Sequence, residues 1–273
     1  MKPTARHDNV RTLVLTGASR GIGHATVKKF NASGWRVITI SRQPFSALCP
    51  WPGGGDNHVQ LDLADPVDIG RGIEQIRARL AGGRLDALVN NAAISPKSKR
   101  GERLGAMDTP FDLWRQVFNV NFFAPVALAR GLVDELSNAQ GCVVNVTSIA
   151  GSRVHPFAGS AYATSKAALA ALTREMAHDF GPRGIRVNAL SAGPVRTLAG
   201  SAADVDKMRP LYELMAPLGR NITHEEVGKS GGFLLSDMSG GITGEILHLD
   251  GGYNIMGSPG RLLDKAKEML EKK

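Results

Sequence analysis

The stretch Thr16-Gly17-Ala18-Ser19-Arg20-Gly21-Ile22-Gly23 limits what this chain can fold into more than any other. It follows an apolar run (Val10, Leu13, Val14, Leu15) with the character of a buried strand, and it precedes a helix-like segment from His24 to Ser33. A strand that feeds a helix through a glycine turn opens a βαβ unit. A dinucleotide pyrophosphate fits at such a junction, because glycines let the backbone come close and the helix N-terminus offers free N–H groups with a partial positive charge. The spacing, Gly-x-x-x-Gly-x-Gly, is one residue wider in its first gap than the common form of that turn. Glycines at strand ends are more often plain turns, so the neighbouring segments have to decide.

Trp35 to Ile40 reads as a second strand whose end, Ser41-Arg42, belongs beside an adenosine ribose. An NAD site wants an acid there to bind the ribose hydroxyls, whereas a 2′-phosphate wants a cation and a small hydroxyl donor. Arg20, inside the glycine turn, adds a cation from the other side, and the residues therefore favour NADP. Gln43 to Asn57, with its prolines and Gly53-Gly54-Gly55, is a loop. Val59 to Leu63 is a short alternating strand that ends in an acid. Asp62 either accepts a hydrogen bond from the adenine amino group or caps the helix beginning near Pro66, and the sequence leaves both open.

Leu85 to Val89 forms the fourth strand, followed by Asn90-Asn91-Ala92-Ala93. Paired asparagines at a strand end tie neighbouring strands together or form a wall for a cofactor, and the pattern favours the structural role. The polar stretch from Ser95 to Thr109, with Lys97, Lys99, Arg100 and Arg103, is a surface loop near the mouth of the site, and a helix from Phe111 to about Leu136 carries Asn121. Gly141 to Ser148 is another buried strand, which places Ser148 at the crevice, since ligands of open parallel sheets sit beyond the carboxyl ends of the strands. Tyr162 and Lys166 follow on an alanine-rich helix (Ala161 to His178), four apart and so on one face. Bringing a phenol from its ordinary pKa of about 10 to near neutrality is worth about 4 kcal/mol. A neighbouring ammonium and a cationic nicotinamide ring supply that by stabilising the phenolate.

With 273 residues and 42% apolar content the chain can bury one large core, and residues 1–273 are expected to form a single domain. No run approaches the length of a membrane span, and Met1 to Asn9 is polar, so a cytoplasmic protein without a membrane partner is expected. Cys49 and Cys142 lack metal-ligand spacing and read as free thiols. The net charge of +8 is scattered rather than gathered into a stripe, which favours a solvated basic surface over a nucleic-acid site.

In this order, Thr16-Gly17-x-x-x-Gly21-x-Gly23, Asn90-Asn91-Ala92, Asn121, Ser148 and Tyr162-x-x-x-Lys166 resemble the short-chain dehydrogenase/reductase family, from about residue 10 to residue 256. The resemblance implies an α/β, doubly wound Rossmann fold with a seven-stranded parallel sheet and a bound nicotinamide cofactor. It also implies a catalytic tetrad. Tyr162 would be the general acid/base, Lys166 would hold the ribose and lower the tyrosine pKa, Ser148 would polarise the carbonyl, and Asn121 would anchor a water in the proton relay. Carried over position by position, the cofactor would meet Gly17, Ser19, Arg20, Gly21, Ile22, Gly23, Ser41, Arg42, Asp62, Leu63, Asn91, Ala92, Tyr162, Lys166, Gly193, Val195 and Thr197. Ala93 stands where the family usually has glycine, and Ala192 where it usually has proline.

Two branches of the family are visible. Residues 10–188 resemble 3-oxoacyl-acyl-carrier-protein reductases, enzymes of fatty acid biosynthesis, whereas Ser191 to Leu198, Leu235 to Met238 and Gly240 to Gly252 look like enoyl-acyl-carrier-protein reductases. A recombined chain would account for the mixture. The enoyl branch has six residues between tyrosine and lysine, and counting back from Lys166 lands on Gly159. The expected activity is therefore NADPH-dependent reduction of a carbonyl, foremost a 3-oxoacyl thioester. Enoyl reduction is the alternative, and a non-catalytic NADP-binding redox sensor is a reading from another class. A lid is expected around 196–218, with Met208, Leu211, Leu214 and Met215 as an apolar wall for an acyl chain. The usual basic patch for an acyl carrier protein is replaced by Asp134-Glu135-Leu136-Ser137-Asn138, with Arg183 as the remaining contact, so a free or coenzyme-A-linked substrate fits as well. The resemblance further implies a homotetramer joined at the strand Ile246 to Asp250, and Gly260 to Lys273 reads as an amphipathic helix or tail.

Overall fold

The computed structural model describes residues 10–45, 53–196, 213 and 215–255. Its frame is an all-parallel sheet of β1 (Thr12–Thr16), β2 (Arg36–Ser41), β3 (His58–Gln60), β4 (Ala87–Asn90), β5 (Cys142–Ser148), β6 (Arg186–Ala192) and β9 (Ile246–Leu249). Spatially the order is β3-β2-β1-β4-β5-β6-β9, with β7 (Val195–Arg196) and β8 (Ile222–Thr223) as a separate short pair. All five residues of β1 are buried, as expected of a strand covered on both faces.

Helices provide that cover. Alternate residues of β1 enter different cores: Leu13 and Leu15 pack with α1 (Gly21–Ala32) and α7 (His224–Leu235), through Val27, Phe30, Val227 and Leu234. Val14 packs on the other side with α2 (Pro66–Arg79), α4 (Ala124–Gly131), α5 (Val133–Ala139) and α6 (Ser160–Phe180), through Ile73, Leu128, Leu136 and Met176. The seven-stranded doubly wound architecture expected from the sequence is thus the observed one. Strand order reverses between β1 and β4, which opens the crevice at their carboxyl ends.

Three details differ from the sequence reading. The continuous helix expected from Phe111 to Leu136 is α3 (Phe111–Phe118), a π-helical turn (Asn119–Phe123), α4, and then α5 after a break at Leu132, whose φ is −115° and ψ 15°. Pro125 has no N–H to close the regular ladder, and the wider π turn places Asn121 in its middle. Second, α2 does begin at Pro66, but its cap is Asp65, which accepts from the Val67 amide at 2.9 Å. Because β3 stops at Gln60, Asp62 stands in a turn instead, accepting from the Ala64 amide at 2.9 Å, so the capping role considered for Asp62 is corrected. Third, strand and helix ends shift by a few residues, as ends commonly do.

Cys142 lies buried in β5, and burial pushes its thiol up to about 11. Met215 is buried. Thr197, Met208, Leu211, Leu214, Cys49, the first nine residues and Gly260 to Lys273 lie outside the described residues. No helix among the described residues is long and apolar enough to cross a membrane.

Candidate active site

At the reversal point the glycine turn is locked to the end of β4. Gly17 adopts φ +71°, and a Cβ there would come within 2.8 Å of the Ala92 Cα, while a Cβ on Gly23 would run into the Gly17 carbonyl. Thr16 Oγ1 accepts from the amides of Asn91 and Ala92, both at 2.9 Å, and Asn91 Nδ2 donates to the carbonyls of Thr16 and Gly17. Asn90 Nδ2 donates to Asn145 Oδ1 at 2.9 Å. The two asparagines tie β4 to β5 and to β1, the structural role that the pattern favoured. These residues fit a dinucleotide pyrophosphate. Asp65 caps α2 and Thr223 caps α7, but Arg20 at the start of α1 makes no side-chain cap and the first turn holds no acid. The leading N–H groups of α1 are left to an anion.

Across the crevice, the structure brings Asn121, Ser148, Tyr162 and Lys166 together. The Ser148 hydroxyl lies close enough to the Tyr162 phenol to influence it, and Ser148 Oγ accepts from the Ala150 amide at 3.2 Å. Ser165 Oγ donates to the Tyr162 carbonyl at 2.7 Å and receives Asn121 Nδ2 at 3.0 Å. Asn121 Oδ1 accepts from the Ile94 amide at 2.9 Å. Fully buried, the Asn121 side chain is therefore a clamp between the β4 exit and α6.

Lys166 is 2% exposed, its Nζ donates to the Val146 carbonyl at 2.6 Å, and burial brings its pKa down to about 8. That Nζ lies 5.9 Å from the centre of the Tyr162 ring. One expectation is corrected here. The phenol is held above the ordinary tyrosine value by burial, with the Ser148 hydroxyl as the opposing influence, and Lys166 does not lower it. The Lys166 Nζ is directed to the Val146 carbonyl of β5 and not to the phenol oxygen.

The other expected contacts are placed as follows. Ser41, at the end of β2, donates its one hydroxyl proton to the Gln43 carbonyl at 2.8 Å, which leaves it an acceptor toward anything else. Arg20 and Arg42 are exposed, and neither joins an ion pair among the described residues. Leu63 is in the core, Ser19 is at the surface, and Ile22 packs on α1's side of the sheet. The Gly193 amide donates to the Leu249 carbonyl, and Val195 pairs with Ile222. Arg183 is bound to Asp134 at 2.5 Å, so the cation expected to meet a carrier protein is already matched.

Sequence reasoning missed two histidines. His155, midway between Ser148 and Tyr162, packs near the rings of Phe157 and Tyr253, and burial with Lys97 nearby lowers its pKa to about 4. Lys97 donates to the Phe157 carbonyl and Arg103 to that of Ala158, which straps the 95–109 loop onto this wall. His224 opens α7 beside Gly21. Neither stands in a motif, and a lone histidine carries no periodic signal.

A glycine turn locked at the reversal point of a seven-stranded parallel sheet, facing a serine, a tyrosine and a buried lysine, defines an α/β nucleotide-fold oxidoreductase class. The chain belongs to the short-chain dehydrogenase/reductase family, and over residues 17–254 it matches the family model described as Enoyl-(Acyl carrier protein) reductase. A Brucella ovis oxidoreductase of the short chain dehydrogenase/reductase family, solved in complex with a partially ordered NAD, is 56% identical with a TM-score of 0.76, covering 88% of this chain and 100% of that one. Protein FixR of Bradyrhizobium diazoefficiens is 52% identical over 250 residues, 90% of this chain and 87% of the relative. The enoyl-[acyl-carrier-protein] reductase [NADH] FabI of Synechocystis is 38% identical over 177 residues, 64% of this chain and 67% of the relative. The match to FixR runs through the join near Asn188, so recombination is not needed to explain the mixed appearance of the two halves.

Proposed function

We propose that this protein is a nicotinamide-dinucleotide-dependent oxidoreductase that reduces a carbonyl, foremost a 3-oxoacyl thioester, to a secondary alcohol. The observation that carries this reading is the gathering of Ser148, Tyr162 and Lys166 at the crevice, with burial holding the phenol above its ordinary value and so protonated. A protonated phenol is the acid that reduction requires, and Ser148 beside it can bond the same carbonyl oxygen. The bound dinucleotide would supply the hydride to the carbonyl carbon. Tyr162 then transfers its proton to the oxygen, and Lys166, neutral or charged near its lowered pKa of about 8, stands one helical turn behind to hold the ribose. Enoyl reduction is the second reading, favoured by the family model and by the Synechocystis relative. Against it stands Gly159, which occupies the position where the wider tyrosine spacing would need a ring.

For the cofactor, NADPH is the form favoured by two exposed cations, Arg20 in the glycine turn and Arg42 just after β2, with no acid at the β2 end. The NAD in the Brucella ovis structure and the NADH of the Synechocystis reductase argue for the other form. An acyl carrier protein, a coenzyme A thioester or a free ketone remains the proposed carrier class, and the β9 edge is proposed to join subunits in a homotetramer. The deciding experiment measures oxidation of NADPH and of NADH by the purified protein with a 3-oxoacyl thioester and with a trans-2-enoyl thioester of equal chain length. Turnover of the oxo substrate is expected, falling by about 10²-fold or more in Tyr162→Phe while cofactor binding persists. Turnover of the enoyl substrate alone would overturn the carbonyl reading, and activity retained in Tyr162→Phe would overturn the role of the tyrosine.

A further inference from the structure

Helices α1 and α7 lie side by side and run the same way. A Cβ on Gly228 would meet the Ala25 carbonyl group at 3.7 Å, and one on Gly232 would meet Lys29 Cε at 3.5 Å. One turn before Gly228 on α7 is His224, and one turn before Ala25 on α1 is Gly21. The same parallel register therefore sets the imidazole against the glycine turn. A Cβ on Gly21 would sit 3.5 Å from His224 Nε2 and 3.8 Å from its Cδ2. The N-terminus of α7, unlike that of α1, is closed by a capping box. Thr223 Oγ1 accepts from the Glu226 amide at 3.2 Å, and the Glu226 carboxylate accepts from the Thr223 amide at 2.8 Å and is gripped by Arg220 at 2.7 and 3.0 Å. The His224 side chain makes no hydrogen bond among the described residues, its charge partner is the neighbouring Glu225, and its ring is half-buried beside the uncapped start of α1.

We propose that His224 is a cofactor-binding residue, whose imidazole donates an N–H across Gly21 to the pyrophosphate received by the N-terminus of α1. The main-chain amides of the turn meet that diphosphate from below, and the ring adds a side-chain donor from the flank. The inference rests on the proposed binding of a nicotinamide dinucleotide.

Equilibrium titration of the full-length protein with NADPH, with NADH and with adenosine tests it, followed by fluorescence or calorimetry rather than turnover. His224→Ala is expected to weaken both dinucleotides by the same factor, about 5- to 10-fold, because the pyrophosphate is common to them. Adenosine, which has no phosphate, should bind unchanged. His224→Phe keeps a ring against Gly21 but has no N–H, and should bind as weakly as the alanine variant. Dinucleotide affinity unchanged in either variant, a loss shared equally by adenosine, or a loss confined to one dinucleotide would overturn the proposal. Wild-type protein that bound neither dinucleotide would instead overturn the cofactor reading on which it rests.

Discussion

Burial keeps the imidazole of His155 neutral down to about pH 4, although it lies on the wall of a crevice. In the unfolded chain the same group takes its proton near 6.5, so between these values the unfolded state holds more protons and stability falls as the pH falls. The loss is on the order of 2 kcal/mol once partial exposure is allowed for. Urea unfolding at pH 6.5 and pH 4.5 should show a larger drop in wild type than in His155→Gln, and equal drops would remove His155 from the account. The same physics treats the two residues of the Tyr162-x-x-x-Lys166 pair in opposite directions, raising the phenol and lowering the ammonium. Spacing on a helix could place these side chains on one face. It could not show that Lys166 would turn to the Val146 carbonyl, because that contact is made across to β5.

Among the elements, α2 shows how a cap is chosen. Asp62 and Asp65 both precede Pro66, and only where β3 ends decides which of them meets the first helical amides. Asp65→Ala should cost about 1 kcal/mol, read as a lower urea midpoint with an unchanged slope. Asp62→Ala should cost less than half as much, since no α2 amide depends on it. A larger effect at Asp62 would contradict the assignment. The segment from Phe111 to Ala139 teaches the converse. Its apolar pattern is helical throughout, yet Pro125 and the break at Leu132 divide it, and the π turn between the pieces puts Asn121 against Ile94 and Ser165.

At the scale of the whole molecule, two cores hold one sheet between them, and β5 is near its centre. Cys142 lies there at 2% exposure, so its thiol should react with a disulfide reagent only through broad unfolding of the sheet. In a Cys49→Ser background, thiol labelling should stay slow until the denaturant transition and then follow it. Fast labelling under native conditions would mean that β5 opens locally.

Order along the chain was enough to determine the alternation of strands and helices, the glycine turn, and the fold class. Those follow from hydrophobic periodicity and from backbone conformations that only certain residues adopt. The asparagine pair was legible in role as well as position, because a short amide at a strand end has few partners other than the next strand. What only the tertiary structure decided were the contacts between segments far apart in sequence: Asn91 reaching the glycine turn, Asn121 clamping α6, Arg183 matched by Asp134, and His224 set beside Gly21. Nothing local specifies them, since each depends on the register of two helices or two strands that is settled only when both faces of the sheet are packed.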